Sequence, residues 1–201
     1  MNPIFEPFED FVREKGTAFV GRNREFLVDE ELAELRRLEV KLIEACETHA
    51  SENTTGELKA ENIVAIHPFH HELRGRGSKT RVKQVQRLND LILGVDLDRY
   101  GVVLVESYDH YALRTPELAE KDRVTSVFFT REAQGEVENP GRLRTLSGRR
   151  YYFGGSYGNQ CVRGVLRELR RYAERARLRP IKDGIYYKMP GEHRPGELDS
   201  G

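Results

Sequence analysis

From Asp29 onward, Leu32, Leu35, Leu38, Leu42 and Cys46 recur at three- and four-residue steps. A single apolar stripe of that period predicts one amphipathic helix, running to about Ala50. Asp29 reads as its N-cap, with Glu30 and Glu31 in the first turn where the helix dipole favours acids. The segment before it, residues 1–28, is punctuated by Pro3, Pro7, Gly16 and Gly21 and predicts irregular chain or short helical pieces. Residues 51–57 (SENTTGE) form a polar linker.

Beyond the linker the period changes. Short apolar, β-branched runs at Ile63–Ile66, Val102–Val105 and Val124–Thr130, with Tyr151–Phe153 and Ile185–Tyr187, predict buried strands. Between them lie a helical stripe of Val82, Val85, Leu88 and Ile92 closed by Gly94, a short helix opened by Thr115–Pro116, and a longer one carrying Val162, Val165, Leu169 and Tyr172. Strands alternating with helices predict an α/β fold, a three-layer Rossmann-like arrangement: a mostly parallel sheet, right-handed crossovers and helices on both faces. The chain divides into an acidic, mainly helical extension (1–57), an α/β domain (58–189) and a flexible tail (190–201).

Composition adds one feature to this picture. The 201 residues balance 33 basic against 33 acidic side chains, which argues against a generic nucleic-acid or membrane binder. The zero conceals an asymmetry: residues 1–60 carry a net −6 and residues 141–182 a net +10. Such a separation points to an anionic ligand at the basic end, or to a self-complementary contact and hence a homo-oligomer. No apolar stretch reaches the roughly 20 residues a bilayer span needs, and the acidic start is unlike a signal peptide. Two distant cysteines, Cys46 and Cys161, suggest no disulfide framework. The expected setting is cytoplasmic.

In parallel α/β sheets ligands bind beyond the carboxyl ends of the strands, which directs attention to four places. After Phe153, the turn Gly154–Gly155–Ser156–Tyr157–Gly158–Asn159 leads to Cys161. With Asn159 as N-cap, Cys161 falls in the first helical turn, where free N–H groups favour a thiolate, an oxyanion or a bound anion. A small cysteine packing a helix start is the plainer alternative. After Ile66 come His67, His70 and His71, and after Val105 a stretch in which Asp109 and His110 stand side by side. This acid and these imidazoles suit a base with its orienting partner, and His67, His70, His71, Asp109 and His110 are also candidate ligands for a divalent metal.

The tract RRYYFGGSYGNQCVRGVLRELRRYAE resembles the nucleophile segment of the isochorismatase-like cysteine hydrolases, and residues 82–111 resemble the family's second strand with its acid-plus-His loop. Lys121, followed by Ser126–Phe129, is similar to the segment that supplies the family's catalytic Lys. The resemblance spans about 60–180, with His67 standing where the family has a catalytic Asp. It implies a hydrolase of a small amide, ester or related substrate. Cys161 would be the nucleophile, and His67, Asp109 and Lys121 would assist it. Gly154, Gly155, Ser156, Gly158, Asn159, His70 and His110 would line the ligand site. The competing expectation is a non-catalytic α/β module with a degenerate site, binding an anionic ligand or a protein partner.

Overall fold

A computed structural model describes residues 4–15, 27–68, 94–96, 98–113, 124–130, 135–156 and 158–186. Five strands form one sheet in the order β3-β2-β1-β4-β5. They are β1 (Glu61–Ile66), β2 (Tyr100–Ser107), β3 (Ser126–Thr130), β4 (Arg150–Ser156) and β5 (Arg177–Tyr186). All four neighbouring pairs are parallel, with Ile63 opposite both Val102 and Tyr152. This is a doubly wound α/β architecture, as the alternation of strand and helix patterns predicts.

Side chains alternate across the strands, so each face receives its own apolar set. Ile63, Ala65, Val102, Leu104, Val127 and Phe129 face one layer of helices: α1 (Glu6–Lys15), α2 (Asp29–Glu52) and α3 (Tyr108–Leu113). Val64, Ile66, Val103, Val105, Tyr151 and Phe153 face the other, built from α4 (Arg163–Tyr172) and a 3-10 helix (Pro140–Leu146). The buried Tyr151 hydroxyl donates to the Leu146 carbonyl at 2.8 Å, fastening that 3-10 helix to β4. Helices therefore cover both faces.

The leucine stripe of α2 is covered by its own sheet: Leu35, Leu38, Leu42, Cys46 and Ala50 are buried. Burying a leucine contributes about 1.5–3 kcal/mol, so this extension is part of the core. The linker is tied down as well, Thr55 N–H donating to Val124 O and Gly56 N–H to Thr125 O. The N-cap is Val28, one residue earlier than the pattern suggests, and its N–H donates to the Glu31 carboxylate at 3.2 Å. α1 is one of the short helical pieces expected ahead of α2, and its Phe8, Phe11 and Val12 are buried at helical spacing.

Two elements differ from expectation. The loop read after Val105 is helical from Tyr108, because β2 passes directly into α3. β5 is longer than its apolar core suggests and begins at Arg177. The helices expected at 81–93 and 115–123, and the tail from 190, lie outside the described residues.

Candidate functional site

The carboxyl ends of β1, β2 and β3 gather a buried polar cluster. β1 ends at Ile66, and His67 follows in the left-handed region with φ 46°. Only a few per cent of non-glycine residues adopt that conformation, histidine more readily than most, and such residues concentrate at functional sites. The His67 N–H donates to Val105 O at 2.8 Å. Its ring turns inward with no exposed surface, and Nε2 lies 3.0 Å from Thr130 Oγ1.

β2 contributes Glu106, fully buried, whose Oε1 accepts from the Ser107 N–H at 3.0 Å and lies 3.3 Å from His110 Nδ1. The abrupt passage from β2 into α3 puts Asp109 and His110 in the first turn, one turn beyond Glu106.

The electrostatics divide the labour. Burial holds the His67 imidazole below its ordinary value, aided by His110 and opposed by Glu106 and Asp109. His67 is therefore neutral at neutral pH. Burial pushes the Asp109 carboxyl up. His110, the Ser107 hydroxyl beside it and His67 outweigh that push and hold Asp109 below the usual carboxylate range. A neutral imidazole is the form of histidine that can accept a proton.

The glycine turn after β4 serves first as packing. Gly154 and Gly155 pair with Ala65 and Ile66. A Cβ on Gly155, where φ is +150°, would fall 1.9 Å from the Ile66 carbonyl oxygen. The helical path begins at Gly158 as a π-helical turn, Gly158–Val162, and runs into α4 without a separate cap. This turn takes in Asn159 as well as Cys161. Ser156 is the last residue of β4.

Cys161 has no exposed surface and packs in the apolar cluster with Val137, Val162 and Val165. Gly135 sits against it so closely that a Cβ there would lie 2.3 Å from the Cys161 carbonyl oxygen.

Of the residues singled out from sequence, the structure brings together His67, Asp109 and His110. His70, His71 and Lys121 lie outside the described residues. The metal site expected at His67, His70, His71, Asp109 and His110 is not borne out. Among the described residues no group of three or more His, Cys, Asp or Glu side chains could hold an ion. The physical reason is visible: His67 Nε2 engages Thr130, and His110 Nδ1 meets a Glu106 oxygen that also accepts from a backbone N–H.

Two members of the cluster carried no assigned role in the sequence reading, Glu106 and Thr130. Their signal is a polar residue closing an apolar strand, YGVVLVES and SVFFT.

Comparisons with protein-family models, with curated proteins and with solved structures return no match. The fold and site place the chain in a class, the doubly wound α/β proteins with a polar cluster at the carboxyl edge of the sheet. Among the described residues no helix is long and apolar enough to cross a membrane.

Proposed function

We propose that this protein binds a small polar or anionic molecule at the carboxyl edge of its sheet and hydrolyses an amide, ester or related bond in it. His67 is the base. The observation behind this reading is a buried imidazole held at φ 46° at the carboxyl end of β1, with Nε2 on Thr130 and the Glu106–His110 pair at the end of the adjoining β2. In the step, neutral His67 takes a proton from water as its oxygen attacks the carbonyl carbon. Asp109 stabilises the imidazolium that forms. The C–N or C–O bond then breaks and the proton passes to the leaving group, restoring neutral His67.

The alternative nucleophile, Cys161, has less support, because its thiol packs in an apolar cluster, whereas His67 lies among Thr130, Glu106, Asp109 and His110.

The test is turnover of a panel of p-nitrophenyl esters and anilides of short acids by the wild type, His67→Gln and Cys161→Ser. The expected loss in His67→Gln is roughly 10²–10⁴-fold, the usual range for a positioned base, with Cys161→Ser close to wild type. A loss confined to Cys161→Ser would transfer the chemistry to the thiol. No turnover by the wild type would favour the non-catalytic module.

A further inference from the structure

The two faces of the sheet carry helices of opposite charge. On one side α1 and α2 hold twelve acids against five Lys and Arg, a net −7. On the other, the 3-10 helix and α4 hold six Arg against Glu168, a net +5. The arginines form a ridge: Arg163, Arg167, Arg170 and Arg171 recur at steps that place them on one side of α4, and all four are exposed. Arg142 and Arg144 of the adjoining 3-10 helix are exposed beside them.

The acidic side has a matching texture. On the outer face of α2, Val40 is 60% and Ile43 39% exposed, with Glu44 and Glu47 also exposed next to them. Aliphatic side chains rimmed by carboxylates suit arginine, whose stem covers apolar surface while its guanidinium reaches an acid. A nucleic acid would meet the ridge alone, and would leave this apolar, acidic strip without a role.

We propose that the arginine ridge of α4 docks on the outer face of α2 of a second copy of this chain, giving head-to-tail association. The two patches lie on opposite faces of one three-layer protein, so the contact is heterologous: each copy offers one donor and one acceptor surface. The ridge is short, since α4 spans about 15 Å, and exposed ion pairs contribute little each. The association is accordingly weak and salt-sensitive. This inference stands apart from the chemistry at the carboxyl edge.

Sedimentation velocity of the full chain at ~10 mM and ~500 mM salt, where the Debye length falls from about 30 Å to a few ångströms, provides the test. Expected is concentration-dependent association at low salt that disappears at high salt. Two neutralised variants then fix the geometry. One carries Arg163→Gln, Arg167→Gln, Arg170→Gln and Arg171→Gln; the other carries Val40→Ser, Ile43→Ser and Glu44→Gln. Each alone should be monomeric, and their mixture should give a 1:1 dimer that grows no further. A wild type that stays monomeric at low salt would overturn the proposal. So would association that survives both sets of substitutions. Retention of the wild type on heparin, lost with the arginine variant and without any copy-to-copy association, would assign the ridge to a polyanion instead.

Discussion

The Nε2 atom of His67 lies 3.0 Å from Oγ1 of Thr130, joining the ends of β1 and β3 across β2, which separates them in the sheet. Both residues are fully buried. The contact fixes the imidazole in one orientation and links three strand ends through two side chains and the His67 N–H on Val105.

Removing the hydroxyl therefore exposes a cost that shape alone does not compensate. Thr130→Val should lower unfolding stability by about 1–3 kcal/mol, the penalty for a buried polar group deprived of its partner. Thr130→Ser should recover most of it. Urea unfolding measures the difference, and a valine variant as stable as wild type would mean that the hydroxyl contributes nothing there.

Acid should destabilise the fold early. His67 has a folded value depressed below about 6.5 by burial, and His49 is depressed for the same first reason. Below the unfolded value the unfolded chain takes up protons that the folded chain refuses, so stability falls as pH drops beneath about 6.5 and is unaffected above it. Asp109, also depressed, contributes stability that is present above the unfolded carboxylate value and lost as pH falls through its lower folded value. Both effects run in one direction. Thermal unfolding of the wild type should show the midpoint dropping between pH 7 and 5, with a smaller drop in His67→Gln.

The sheet was legible because parallel strands buried on both faces read as unbroken apolar runs, and β1 and β2 are such runs. The polar cluster was legible in part. His67, Asp109 and His110 stand out as titratable residues directly after those runs. What sequence could not supply was partnership. Glu106 looks like the strand's last ordinary acid until folding sets it against His110, and Thr130 lies 63 residues from the histidine it meets. The metal expectation failed on the same ground: three imidazoles close in sequence say nothing about which groups their nitrogens face. At Cys161 the flanking glycines suggested an open turn. Here Gly135 and Gly155 permit close backbone contact instead.

Gly155 gives the sharpest steric prediction. With φ +150° and the Ile66 oxygen 1.9 Å from an added Cβ, neither its conformation nor its space admits a side chain. Backbone strain of this kind costs on the order of 1–3 kcal/mol, and the overlap adds to it because the obstructing atom belongs to a neighbouring strand. Gly155→Ala should lower the unfolding free energy by at least ~2 kcal/mol. Gly148→Ala is the control: φ is +75° there but nothing lies within 4 Å, so only the conformational part of the cost should appear. Equal effects in the two variants, compared by denaturant unfolding, would show that the β1–β4 contact yields easily.

Cys161 offers the last prediction, which bears directly on the choice of nucleophile. Its side chain has no exposed surface, and Val137, Val162 and Val165 share its apolar cluster. Iodoacetamide must reach the sulfur in line with its own leaving group, which a closed apolar shell prevents, so labelling has to wait for the shell to open. The native protein at pH 7 should consequently label slowly at Cys161, and urea should accelerate the reaction in step with unfolding. Cys46 should behave alike, since it too is buried, and burial together with Asp109 and Glu47 pushes its thiol well above the ordinary range. Peptide mass spectrometry separates the two sites. Rapid labelling of Cys161 alone, in folded protein and at pH 6–7, would reveal an open form presenting a thiolate. It would restore Cys161 as the candidate nucleophile in place of the water activated by His67.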